Sequence, residues 1–360
     1  ATTSGGDRNF TLGGTNTSTN EIQGDIADSS GSSLVLNKTD AGTWKLSGDN
    51  SYTGTTTVSA GTLIVGSNNA LGATDGATTV ASNAKLHIDG SAGDLTIAED
   101  ITVGSGSGVI TNLSGNNTIT GTVTLSAGAD FRGNGLTFSG GIQSTANENL
   151  SMNGRSIIDG SPIDLNSGSV TFTSNGNSLA NATELNVAGN DWSFARINFG
   201  GYLKLGATNA LPSDAGVEFG WSNDGSSSGT LDLNGFDQTV SYLRQTSAFA
   251  SVNGDQNVTG GGTLTIDLDS GSESYHGRIT DGSSATSLVK TGSGTQILNN
   301  QSGTATSNTG ATTISAGRIQ AGSATSLSGA SAFSVASGAF LGLDGNSNSV
   351  GSLAGAGTVE

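Results

Sequence analysis

One phrase occurs twice in this chain: GTTTVSAGTLIVGSNNALG at residues 54–72 returns as GATTISAGRIQAGSATSLSG at 310–329. Upstream, Lys38-Thr39 and Gly42 match Lys290-Thr291 and Gly294 at an offset of 252, whereas Val58 and Gly61 match Ile314 and Gly317 at 256. Four extra residues therefore fall between matched segments, where a turn absorbs them. Shorter echoes widen the unit. LKLGATNAL at 203–211 repeats LIVGSNNAL at 63–71, TLDLNGFDQTVSYL at 230–243 repeats FLGLDGNSNSVGSL at 340–353, and LHIDG at 86–90 is a further relative. Repetition on this scale marks an array in which each small unit buries its apolar edge only against the next.

The units are strands. VTL at 123–125, LTF at 136–138 and VTF at 170–172 alternate apolar and polar residues between Gly, Asn, Asp and Ser, and no segment keeps an i, i+3, i+4, i+7 apolar pattern for three helical turns. With 33% hydrophobic residues and 58 glycines against 2 prolines the composition approaches that of disordered chains, but the recurrent short strands argue for order. Strands of about four residues, closed by residues that tolerate positive φ, suit flat coils of parallel sheet. The expected fold is all-β, a parallel β-helix of about 15 coils at roughly 20–25 residues each, forming a rod on the order of 70–80 Å. Leu, Ile, Val and Phe are expected to point inward; Thr, Ser, Lys and Asp are expected to point outward. Residues 1–360 are expected to form a single continuous β-helix, with the strongest repeat units at 33–90 and 287–358, a weaker unit at 200–243 and divergent coils between about 90 and 200.

KTDAGTWKLSGDNSYTGTTTVSAGTLIVGSNNALG at 38–72 resembles the autotransporter-associated β-strand repeat of bacterial autotransporter passengers, and LDLNGFDQTVSYL at 231–243 resembles the strand pair that follows it there. The likeness is specific over 33–72 and 287–329, fair at 203–243 and 340–358, and faint between 90 and 200. It implies a right-handed β-helix exported to the bacterial outer surface or the extracellular space. The chain stops at Val359-Glu360 without the alternating amphipathic strands of a translocator barrel, so its anchor is expected to be missing from this sequence or separate. Ala1-Thr2-Thr3 reads as a mature end left by a signal peptidase.

The formal charge of −17 sets the chain against nucleic acid and anionic membranes. The absence of cysteine removes disulfides and thiolate chemistry, and no apolar run reaches the 18 or so residues of a transmembrane helix. Gly225-Ser226-Ser227-Ser228-Gly229 fits the GxSxG pattern but lacks the strand-to-helix setting of a nucleophile elbow. Asp232, Asp237, Tyr242, Arg244, His276 and Arg278 crowd one region without a spacing that makes them converge, and His87 is expected to face solvent. No catalytic residue is assigned. Asp267, Asp269 and Glu273 set oxygen ligands at near-alternate positions, a weak spacing for Ca²⁺ that lacks the EF-hand pattern; no other cofactor is expected. Trp44, Trp192, Trp221, Tyr52, Tyr202 and Tyr275 are read chiefly as packing residues, Trp44 beside Leu46, with Tyr52 the best exposed candidate for stacking on a sugar.

The two ends are related. Gly24, Ile26 and Asp28 stand where Gly277, Ile279 and Asp281 do, and neither terminus carries a cap signature. From Leu243 to Lys290 is 47 positions; joining the 7 residues after Leu353 to the 38 that end at Lys38 gives 45. Head-to-tail association of copies is expected, through Phe10, Leu12, Ile22 and Ile26 at one end and Val350, Leu353 and Val359 at the other. Its rival is that the chain is cut from a longer array. The expected function is a non-catalytic structural or adhesive rod, polymerising into an extracellular filament; the alternative is a carbohydrate-binding or carbohydrate-active passenger. Expected partners are other copies of the chain and surface glycans or host and matrix ligands, with no nucleic acid and no transmembrane segment.

Overall fold

The computed structural model describes residues 6–173, 178–198, 200–220, 229–245, 256–302 and 304–360. Its elements are short strands in parallel pairs, wound as a β-solenoid of about 14 turns; the one helical element among the described residues is a 3₁₀ turn at Leu179–Asn181. The chain divides into two compact units, Ala1–Gly168 and Ser169–Glu360.

In the first unit one sheet stacks Arg8–Leu12, Leu34–Lys38, Thr56–Val58, Thr78–Val80, Ile101–Val103, Val123–Leu125, Ile142–Ser144 and Ile163–Asp164. A second begins Thr19–Ile22, Thr43–Leu46, Thr62–Val65, Lys85–Asp89 and runs on through Leu150–Asn153. A third starts only at Thr96–Ile97. Leu36 lies beside Thr56, Thr56 beside Thr78 and Thr78 beside Ile101, so successive turns of chain take 20, 22 and 23 residues. Because side chains alternate, each register column belongs to one face. Trp44, Leu63, Leu86, Ile110, Phe131 and Met152 form one inward column, of which Trp44 is half-buried and the rest are buried. Each such side chain, once enclosed, stabilises the stack by roughly 1.5–3 kcal/mol. Asn37, Thr57, Thr79, Thr102, Thr124 and Gln143 form an uncharged outward column on the first sheet.

The corner leading into that first sheet is where glycine is required. Gly54, Gly76, Gly121 and Gly140 each stand two residues before a strand, and a Cβ on any of them would strike the backbone carbonyl of the neighbouring coil, at Leu34, Gly54, Glu99 and Gly121 respectively.

In the second unit the coils start from Ser169–Thr173, Phe194–Asn198 and Gly216–Phe219 on one face and Thr183–Leu185, Gly201–Leu205 and Gly229–Asp232 on another. They continue into stacks that include Gly262–Asp267, Thr286–Thr291, Thr312–Ile314 and Ala332–Val335, and Thr295–Leu298, Arg318–Ala321 and Phe340–Gly342. Large aromatics fill this interior: Trp192 stands edge-on to Phe172 at 6.4 Å, and Phe219 lies 5.2 Å from Tyr275.

Candidate functional site

The repeated phrase folds the same way twice. Lys38 and Lys290, assigned to the outer face from sequence, are both fully buried. Each ammonium sits in a cradle of backbone carbonyls. Lys38 Nζ donates to Thr39 O at 2.5 Å, Asp40 O at 2.7 Å and Ala60 O at 2.9 Å; Lys290 Nζ donates to Thr291 O, to Gly292 O at 3.0 Å and to Leu268 O at 3.4 Å. An ammonium has three donors and no acceptor, so three convergent carbonyls satisfy it without a carboxylate in contact. Burial holds both amines below the ordinary lysine value, an effect opposed by Asp40 beside Lys38 and by Asp267 and Asp269 beside Lys290. The glycine of each S-A-G triplet closes the cradle in the left-handed region, Gly61 at φ 68° and Gly317 at φ 64°, and a Cβ on Gly61 would meet both a carbonyl and Lys38 Nζ.

A carboxylate clamp accompanies each cradle. Asp28 accepts from Leu34 N at 2.7 Å and from Thr53 Oγ1 at 2.6 Å; Asp281 accepts from Thr286 N at 2.8 Å and Thr309 Oγ1 at 2.7 Å. The bond to Thr53 leads in lowering the Asp28 pKa, and those to Thr286 and Thr309 lower that of Asp281 against the opposing effect of burial. The equivalence of Asp28 and Asp281 read from sequence thus has a common hydrogen-bonding basis.

Other candidate residues fare differently. Tyr52, expected to be exposed, is completely buried: its hydroxyl lies 2.6 Å from Thr56 Oγ1, and its ring packs where Gly72 has no Cβ. It therefore offers no platform to a sugar. Trp44 faces inward, and its indole donates to Gly13 O at 2.9 Å. Tyr202 donates to Asp232 at 2.8 Å, and Tyr275 is buried and donates to Arg278 O at 2.9 Å. Trp221 and Gly225–Ser228 lie outside the described residues. His87 is half-buried on the outer face, its pKa pushed down to about 4 by desolvation and Lys85, while His276 is lowered by burial and shares its Nε2 with Ser274 Oγ at 3.0 Å.

Asp267 and Asp269 line a groove of about 480 Å³ with Ser213, Asp214, Ser241 and Tyr242. Glu273 is drawn away to Arg244, and among the described residues no group of three acidic or histidine side chains could hold a metal ion. Asp237 accepts from Thr263 N, Asp232 from Tyr202 and His276 meets Ser274; of the six residues read as crowded together, Tyr242 and Arg244 are in contact with each other. Of the expected self-association residues, Leu12 is buried; Phe10, Ile22, Ile26 and Val350 are half-buried; Leu353 and Val359 are 49% and 42% exposed.

An ion ladder escaped the sequence reading. Arg196, Glu218 and Arg244 stand opposite one another on successive strands, Glu218 is buried between the two guanidinium groups, and Arg244 reaches on to Glu273 at 3.4 Å. Arg196 and Arg244 also lie over the rings of Phe194 and Tyr242. The available signal was charge of alternating sign at coil-equivalent positions, which becomes visible only once the register is known.

The passenger-associated-transport-repeat family model matches residues 36–65 and 288–321, spans that contain Lys38 with Gly61 and Lys290 with Gly317. The chain carries autotransporter passenger repeats. The adhesin BmaC autotransporter of Brucella suis biovar 1 (strain 1330) is 40% identical over 65 residues, 18% of this chain and 2% of that protein, so the chain matches only a small part of its relative's length. No solved structure matches the chain. Passenger repeats place the protein at the bacterial surface or outside the cell. In physical terms each passenger repeat is one lysine-centred cradle with its two flanking strand pairs.

Proposed function

We propose that the protein is a non-catalytic adhesive segment of an autotransporter passenger, a stiff β-solenoid that presents flat polar faces to a surface ligand. The observation that carries this reading is the pair of passenger repeats, one cradle geometry built twice, together with the likeness to a protein named as an adhesin. Parallel ladders join each coil to the next through several backbone hydrogen bonds on every face, which stiffens the stack. The column from Asn37 to Gln143 is a contact face of hydrogen-bonding side chains that carries no charge of its own. The purified chain should bind glycans, matrix proteins or host cells, and Thr79→Arg with Thr102→Arg should abolish binding while leaving the melting temperature within a degree or two. Binding unchanged in the double variant, or absent from wild type on all three, overturns the reading.

The finer reading is that copies associate head to tail. The exposed apolar side chains Leu353 and Val359 in the last strands support it, as do the half-buried Phe10 and Ile22 in the first. Negative-stain microscopy over a concentration series should show filaments that Leu353→Lys disperses; single short particles at every concentration overturn it.

A further inference from the structure

Glu99 breaks a pattern. The corner before the first-sheet strands is glycine at 54, 76, 121 and 140, and register places Glu99 at that same corner in the coil between Gly76 and Gly121. Its side chain turns inward and is only 3% exposed. Oε1 lies 3.4 Å from Thr78 Oγ1, and Oε2 is buried without a hydrogen-bond partner. Thr78 pairs with Thr56 of the preceding coil, and Thr56 in turn meets Tyr52 at 2.6 Å and donates to Leu71 O at 3.2 Å. The titratable groups that act on Glu99 are Tyr52, inside the coil, and Asp100, exposed beside it. Both are acids, so neither offsets a carboxylate charge.

A carboxylate at this corner has one weak donor for two oxygens, whereas a carboxylic acid adds a donor of its own and carries no charge to desolvate. We infer that Glu99 is a proton-operated latch in the first unit. Protonated, it extends the buried polar ladder Tyr52–Thr56–Thr78 and lets the coils around it close. Ionised, it draws water into the corner and loosens Thr78–Val80 and Ile101–Val103, the strands on either side.

Burial, reinforced by Asp100, raises the Glu99 pKa from 4.5 to about 7 against the smaller opposing effect of Thr78. The folded chain therefore holds this proton roughly 300-fold more tightly than the unfolded chain does. Between those two values the folded state binds a proton that the unfolded state has released, so the stabilisation is complete below pH 4.5 and is lost as pH rises through about 7.

Two measurements on the full chain test the latch. Amide exchange, corrected for intrinsic rate, should show residues 78–80 and 101–103 losing at least tenfold protection between about pH 5.5 and about pH 8.5 in wild type, and no such loss in Glu99→Gln. Difference infrared spectroscopy reads the group directly: one buried carboxyl band should disappear near neutrality in wild type and be missing from both Glu99→Gln and Glu99→Gly, the latter restoring the residue of the neighbouring coils. Equal protection of wild type at both pH values, an equal loss in Glu99→Gln, or a wild-type spectrum without a carboxyl titrating near neutrality overturns the proposal. The infrared measurement on wild type decides even where a variant does not fold.

Discussion

Lys38 shows how one side chain can be read correctly as repeated and wrongly as exposed. Its recurrence at Lys290 was legible, but its direction was not: only the turn carbonyls of Thr39, Asp40 and Ala60 make an interior ammonium tolerable. Alternation puts Lys38 in the inward column with Val58, and the flexible stem then carries the charge to its acceptors. Lys38→Met keeps the stem and leaves those carbonyls unmet. It should cost about 2–4 kcal/mol, read as a lower denaturant midpoint at unchanged slope, since unsatisfied buried polar groups cost about 1–3 kcal/mol each. Tyr52 teaches the same lesson. Its place in a variable loop suggested exposure, whereas a hydroxyl four residues on and a glycine at 72 make room for it inside.

At the scale of the element, the coil is specified by what cannot be placed at its corners. The stacked corner at Gly54, Gly76, Gly121 and Gly140 brings each backbone so near the next that a single methyl group would displace a carbonyl. Gly121→Ala should therefore destabilise the first unit by about 2–3 kcal/mol through forced backbone movement, while Gly24→Ala, where a Cβ meets nothing, should change the unfolding midpoint little. The strands themselves were legible because period-2 alternation survives even in three-residue segments such as Val123–Leu125. Their sheets were not. Register decides that Arg196, Glu218 and Arg244 form one ladder although 22 and 26 residues separate them in sequence.

Across the whole molecule charge sets the response to solution conditions. Twelve cations face 29 acids, and several carboxylates, among them Asp28, Asp89 and Asp281, are held below their ordinary range by hydrogen bonds or by Lys45. Carboxylates with depressed pKa contribute stability above the ordinary value of 3.8 and lose it as pH falls through their folded values. Glu99 acts in the opposite sense from 4.5 to about 7. His87, lowered to about 4, and His276 add stability as pH rises towards the ordinary histidine value of 6.5 and so offset Glu99 over most of its range. The melting temperature should therefore climb up to about pH 4.5 and then change little up to about pH 6.5, whereas in Glu99→Gln it should go on rising to about 6.5; a circular dichroism scan in which wild type and variant run parallel across that range contradicts this. The sequence by itself determined that the chain is a stack of short parallel strands and which phrases are equivalent, because periodicity and turn chemistry are local properties. Only the tertiary structure decided which polar side chains turn inward. Lys38 and Tyr52 have near partners at Thr39, Asp40 and Thr56, but their enclosure is completed from the next coil by Ala60 O and by the space at Gly72, and Glu99 meets Thr78 from the coil before it; those groups lie some 20 residues away in sequence and come together only when the coils stack.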